Sequence, residues 1–389
     1  MPNKFKSFSL ISLITLIFWV VIDIFFGQLL LNNIKYSFHH GSVSPYYHHG
    51  FVPKVNNVFY WGGSDYTFCT DKNGFRNSCK KINNKKKKYD IAFIGDSMTE
   101  GPGLNFENTI VGIISKHFDK KEIINLASSS YSAMIYNHKV QHLIKNGYNF
   151  DEVIVLIDVS DVHDDTEKYK ISNNRVVSKN RTINKYSFTI DKIKFHLKRF
   201  LPLSYQAFQK ILKIFQNKNK ALDNVVQIEN LNNKDDVLDN VVQIKNLDNK
   251  ITANSKEFKY IDLYLRAWTY DGNLKYDNKP IQEAIKISIS QMNELYEFLK
   301  NRNIPLSIVV FPAPPQLAFD NENSLQVKIW ENFCYQKCKN FINTFPYFFQ
   351  EMKKTSFREV NKKYFIENDV HFNKKGSEAV ANLIIKNIK

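Results

Sequence analysis

The chain has 389 residues, 43% of them hydrophobic and 14% aromatic, which is ample for a sizeable core and excludes a disordered chain. Its formal net charge of +16 comes from scattered lysines accompanied by many asparagines, and the densest run, Lys80 to Lys88, has six lysines without interleaved aromatics. That run reads as a solvated loop, and no nucleic-acid-binding motif stands behind the charge.

In chain order, Phe8 to Phe26 is a mostly apolar run of 19 residues. It is long enough to cross a bilayer core of about 30 Å at about 1.5 Å per residue. Lys4 and Lys6 precede it, which places the amino terminus inside and the remainder outside. No small-residue cleavage site follows, so residues 1–35 are expected to be an uncleaved, single-pass anchor in the cytoplasmic membrane. Asp23, near the outer end, is expected to reach the interface rather than pair within an oligomer.

Residues 36–87 are rich in His, Tyr, Gly and Pro and read as an extended collar; the pairs His39-His40 and His48-His49 fit loops better than a metal site. Cys69 and Cys79 flank the turn signal Asn73-Gly74, so a local disulfide fits an extracytoplasmic compartment. Cys334 and Cys338, four apart on an expected helix, could bridge only if the helix were distorted. Neither pair has the further Cys or His that a zinc site needs.

From Asp90 onward strand and helix patterns alternate. Strand Ile91–Ile94 precedes helix Asn108–Phe118, strand Glu122–Leu126, helix Ser132–Lys145 and strand Glu152–Ile157. The rhythm breaks over 166–258, an insertion with a helical candidate at Ile190–Phe215 and a tandem repeat of period 16 starting at Leu222 and Leu238. Two copies are too few for a solenoid, so a local duplication is the simpler reading. Helix Ile281–Lys300, strand Leu306–Phe311, helix Ser324–Phe341, the aromatic run Phe345 to Phe349 and a last helix from about Lys375 to Ile388 complete the pattern. Such alternation predicts an α/β protein with a mainly parallel sheet, helices on both faces, and ligands at the carboxyl ends of strands.

Ser97 follows the first strand in Ile94-Gly-Asp-Ser-Met-Thr-Glu100, and Asp369-Val-His-Phe-Asn-Lys-Lys-Gly376 opens the last helix. A serine hydroxyl needs a base to become a nucleophile, and the base needs an orienting carboxylate. Ser97, His371 and Asp369 supply the three. Asp161, His163, Asp164 and Asp165 form a cluster of hard ligands, read here as an acid-rich helix start or cleft wall rather than a metal site. Arg266, Trp268 and the turn from Phe311 to Gln316 are candidate cleft residues, with ordinary packing an equal reading.

The first and last of these blocks resemble those of the SGNH (GDSL-type) hydrolase superfamily, and Asn125 to Ser132 and Ile157 to Asp161 are similar to its second and third. The resemblance covers residues 88–163 and roughly 280–389. It implies a flavodoxin-like three-layer α/β/α sandwich over 88–389, with Ser97 as nucleophile, His371 as base and Asp369 as its orienter. It also implies oxyanion donors at Ser130 and Ser160, which stand where the family has Gly and Asn, and places Asp161 beside them. No cofactor is implied. The spacing of Asp369 and His371 is found among polysaccharide O-acetyltransferase relatives. The resulting expectation is an envelope-facing acyl-ester hydrolase acting on a glycan or lipid. An O-acyltransferase and a non-catalytic glycan-binding protein on the same scaffold are the alternatives.

Overall fold

The computed structural model describes residues 14–15, 17–25, 41–179, 204, 267–269 and 279–388. The chain divides into two compact units, Met1–Tyr36 with Thr182–Ser255, and Ser37–Arg181 with Lys256–Lys389. In the first, the Asp23 carboxylate accepts the Ser204 backbone N–H at 2.9 Å, and the Trp19 indole donates to Ser204 Oγ at 3.0 Å. Among the described residues no helix is long and apolar enough to cross a membrane; part of the run from Phe8 to Phe26 lies outside them. The candidate helix Ile190–Phe215 (Ser204 apart), the tandem repeat and Arg266 also lie outside the described residues.

The second unit opens with two antiparallel hairpins, β1 (Gly41–Ser44) with β2 (His48–Phe51) and β3 (Asn56–Trp61) with β4 (Ser64–Cys69). The branched apolar runs then form parallel strands β5 (Lys88–Ile94), β6 (Ile123–Asn125), β7 (Asn149–Ile157), β10 (Leu306–Val310) and β11 (Asn340–Asn343). Their order across the sheet is β11-β10-β7-β5-β6, all parallel. Counted along the sheet's own strands this is the order 2-1-3-4-5 of flavodoxin-type doubly wound sheets. Between β7 and β10 lies a small hairpin, β8 (Tyr169–Ser172) with β9 (Arg175–Ser178), inside the segment expected to be pure insertion.

Helices cover both faces because successive strand residues point to opposite sides and both sides are apolar. Ile94, Val153, Val155 and Ile308 pack on one face with helices α3 (Ala133–Lys145), α4 (Lys279–Lys300) and α6 (Leu325–Cys334). Phe93, Ile154, Leu156 and Val309 pack on the other with α2 (Ile110–His117), α7 (Phe345–Lys354), α8 (Phe357–Tyr364) and α9 (Lys374–Asn387). Two short helices complete the unit, α1 (Ser97–Glu100) after β5 and α5 (Pro314–Phe319) after β10. The result is a three-layer α/β/α sandwich.

One element differs from expectation. The helix expected to run to Phe341 stops at Cys334, and Asn340–Asn343 is instead the fifth strand. Tyr335 leaves helical geometry and Gln336 has φ +60°. The Lys339 N–H then donates to Leu306 O at 2.7 Å and starts the pairing with β10. Cys334 and Cys338 are bonded across this turn, which supplies the departure from a regular helix that the bridge requires.

Cys69 and Cys79 are also bonded and close a ten-residue step around Arg76. The buried Arg76 guanidinium donates to the carbonyls of Glu100 at 2.6 Å and Gly101 at 2.9 Å, and to that of Leu104. The collar thereby satisfies backbone acceptors at the end of α1. Replacing both Cys69 and Cys79 by serine is expected to lower stability by about 2–3 kcal/mol, the entropy of a loop of this length. A urea midpoint unchanged from wild type would mean that packing alone holds the collar.

Candidate active site

The turn that carries Ser97 is built by close approach. A Cβ on Gly95 would lie 2.1 Å from Thr99 Oγ1 and 2.8 Å from Leu156 O, so only glycine lets β5 turn into α1 at this point. Asp96 caps the helix through Met98 N–H at 2.9 Å, and Ser97 is its first residue, with an N–H that has no intrahelical partner. The turn sits between β5 and β7, at the point where the strand order reverses.

His371 arrives from the other end of the chain. Asn368, at φ +57°, turns the backbone, and the Ile366 N–H donates to His371 O at 2.9 Å. Asn373 caps α9 through Gly376 N–H at 3.1 Å. Within this turn Asp369 Oδ1 accepts the His371 backbone N–H at 3.0 Å and meets His371 Nδ1 at 2.5 Å. A carboxylate only accepts, so Nδ1 carries the proton and Nε2 is left as an acceptor. His371 Nε2 lies 2.8 Å from Ser97 Oγ. A rival acceptor for the same hydroxyl proton, Asp96 Oδ2, is more distant at 3.3 Å. Burial alone would raise the Asp369 carboxyl, but the hydrogen bonds from His371 and Trp61 outweigh it and hold Asp369 below its usual range. Trp61 Nε1 donates to Asp369 Oδ2 at 2.8 Å.

Ser97 and His371 open onto a cavity of about 770 Å³. Ser128, Ser129 and Ser130 line it beside them. Ser130 has φ +61°, the left-handed conformation in which glycine is the least strained residue. Its loop is tied to α1 at two points. Asn125 Nδ2 donates to Thr99 O at 3.0 Å, and Glu100 Oε2 accepts the Ser129 N–H at 2.6 Å and its hydroxyl at 2.7 Å. The backbone N–H groups of Ser97 and Ser130 are thus carried by segments locked to each other.

Ser160 and Asp161 take a different place. The Ser160 N–H and hydroxyl both bond to Asp158 Oδ1, and neither Ser160 nor Asp161 is among the residues lining the cavity. Asp161 accepts from Tyr136 Oη at 2.7 Å and from Asp158 N–H at 3.1 Å. Asp96, Asp158 and Asp161 offer oxygens within 4.8 Å of one another, all buried. Burial, and then the charges of Asp96 and Asp158, push the Asp161 carboxyl well above its usual value. The other acids of this cluster are structural. Asp165 accepts from Ser132 Oγ, Met134 N–H and Ser288 Oγ, and Asp164 pairs with Lys168 at 2.8 Å. Trp268 and Gln316 are buried in packing, the former donating to Val159 O at 2.9 Å.

Sequence reasoning gave no role in the site to several cavity residues. His48 and His49 line it, and His49 Nε2 donates to Ser129 O at 2.8 Å, which is possible only from its Nε2–H tautomer. Burial, partly offset by that carbonyl, pushes His49 down to about 4. Trp61 and Glu100, also in the lining, were passed over too, as was the buried Arg76 outside it. The one signal for Trp61 was the Gly62-Gly63 pair between two aromatic-rich stretches, a two-residue hairpin signature.

No protein-family model matches the sequence, and no curated relative is found by sequence comparison. Among solved structures, a psychrotrophic esterase from Pseudoalteromonas sp. aligns at 8% identity and a TM-score of 0.33, covering 78% of this chain and 96% of that one. A catalytic mutant of an acetylxylan esterase from Geobacillus stearothermophilus aligns at 10% identity and a TM-score of 0.37, covering 77% and 93%. Similarity this low adds nothing to the site geometry.

Behind the serine loop, the buried Lys139 ammonium donates to Leu126 O at 2.7 Å and Tyr131 Oη at 3.0 Å. Burial pushes Lys139 down to about 7 from an ordinary value of about 10.5, with Asp71 opposing. Between those values the unfolded chain binds more protons, so this residue makes stability rise with pH from about 7 to about 10. Thermal melts of wild type and Lys139→Met across that range are expected to show the rise in wild type and its absence in the variant; parallel curves would contradict the assignment.

Proposed function

We propose that this chain is a serine-dependent carboxyl-ester hydrolase of the SGNH type, acting on acyl esters in the cell envelope. The observation that carries the reading is the hydrogen-bonded series Ser97, His371 and Asp369 at the mouth of a cavity. Ser97 Oγ attacks the ester carbonyl carbon while His371 Nε2 takes its proton. Asp369 holds the ring in the required tautomer and stabilises the imidazolium. The carbonyl oxygen becomes an oxyanion facing the N–H groups of Ser97 and Ser130, a backbone pair in place of a side-chain donor from Ser160. The tetrahedral intermediate expels the alcohol, which takes the proton from His371. Water then attacks the acyl-serine with His371 again as base, releasing the carboxylic acid and regenerating Ser97.

The cavity suits an ester with an amphipathic alcohol such as a glycan or lipid headgroup. Collar aromatics Phe59, Trp61 and Phe68 line one part, and His48, Glu167, Lys168 and Ser178 another. The apolar side chains of Ile14, Ile17, Phe18, Val21, Ile24 and Phe25 are exposed on the amino-terminal helix, which supports a membrane anchor for this chain. The two disulfides support an oxidising, extracytoplasmic location for the second unit.

Hydrolysis of p-nitrophenyl acetate by wild type, Ser97→Ala and His371→Ala tests the proposal. Both variants should lose about three or more powers of ten in kcat with their circular dichroism unchanged. Wild-type turnover no faster than that of the variants would contradict it.

A further inference from the structure

We infer that Trp61, from the collar, is a fourth member of the Ser97–His371–Asp369 series, a positioning residue whose indole N–H fixes the orienting carboxylate. The inference rests on the proposed role of those three residues, but its geometry is independent of any substrate.

The two oxygens of Asp369 divide their work. Oδ1 takes the backbone and ring donors of His371, and among the described residues Oδ2 takes Trp61 Nε1, at 2.8 Å. A carboxylate held through one oxygen can still rotate about its own axis; a donor on the second oxygen removes that freedom. The Trp61 ring also stands edge-on to the His371 ring, with centroids 5.7 Å apart and planes at 80°. It therefore blocks the imidazole from swinging toward the collar as well as fixing its partner. Besides each other, Asp369 and His371 meet Ser97 from α1 and Trp61 from β3, and Ser97 in turn meets the Asp96 carboxylate.

The hairpin is shaped to deliver the indole. Along β3, Phe59 is buried while Val58 and Tyr60 face outward, so Trp61 falls on the inner face next to the turn. Gly62 and Gly63 have φ of +60° and +82°, as a two-residue hairpin turn of this hand requires. A Cβ on Gly62 would lie 2.4 Å from Ile366 Cγ2. The hairpin tip thus seats on Ile366, three residues before Asp369, and a side chain at Gly62 forces the tip or Ile366 to move. Two unrelated constraints, backbone conformation and close approach, converge on the residue beside Trp61.

The test compares Trp61→Phe, which keeps a ring and loses the donor, with Gly62→Ala, which keeps the indole and displaces it. Tyr60→Ala, on the outer face of the same strand, is the control. Loss of one hydrogen bond to a charged group predicts a fall in kcat/KM of roughly ten- to a hundredfold in the first two variants and none in the control. With the donor gone the Asp369 carboxylate carries more charge, so the acid limb of the pH profile should move to higher pH in both. The titration of the His371 ring, followed by NMR on isotope-labelled protein, should move the same way. A merely structural hairpin would lower the melting temperature without moving either titration. Unchanged kcat/KM and an unmoved His371 midpoint in Trp61→Phe would overturn the inference. If wild type turns over no ester, the proposed function fails by itself, and the His371 midpoint still decides the role of Trp61.

Discussion

The Ser97 hydroxyl and the His371 imidazole lie 274 residues apart in sequence and 2.8 Å apart in space. That contact is the constraint to which the rest of the second unit answers. The parallel sheet places the end of β5 at the reversal of strand order, and α9 packs on α2 so that the turn before it overhangs the same point. Asn125, Glu100 and Arg76 then tie the serine-rich loop and the end of α1 into one piece. None of the three need touch a substrate. They hold the Ser97 hydroxyl and the backbone N–H groups of Ser97 and Ser130 in fixed relation, as the proposed oxyanion stabilisation requires.

Much of the sheet was readable from the sequence because both its faces are buried. Continuous runs such as Val153 to Ile157 are characteristic of strands covered on two sides. The Ser97, Asp369 and His371 candidates were readable because each sits in a block whose local residues, Gly95 and Asn373, make sense only in a tight turn. β11 was harder. Asn340–Asn343 follows a helix without a Gly or Pro to separate them, and the break at Tyr335 and Gln336 comes from tertiary pairing and a disulfide rather than from local propensity. Ser160 was assigned by position in a motif, yet side-chain chemistry decides its place: a hydroxyl two residues from Asp158 bonds to that carboxylate first.

The collar was the least readable part, yet Trp61 from it lies against Asp369 and His371. Composition marked residues 36–87 as loop-rich, and no local pattern says that an indole will meet a carboxylate 308 positions later. Long-range polar contacts of this kind carry no periodicity. They follow from where the folded hairpin comes to rest, and the bare backbone of Gly62 against Ile366 sets that place.

The most direct measurement is covalent: fluorophosphonate treatment of the folded protein, followed by peptide mass spectrometry. An activated serine forms a single phosphonyl adduct on the peptide containing Ser97, and protein unfolded beforehand forms none. A folded protein that takes no label, or takes it at a serine other than Ser97, would contradict the claim that this site is a serine-dependent ester hydrolase.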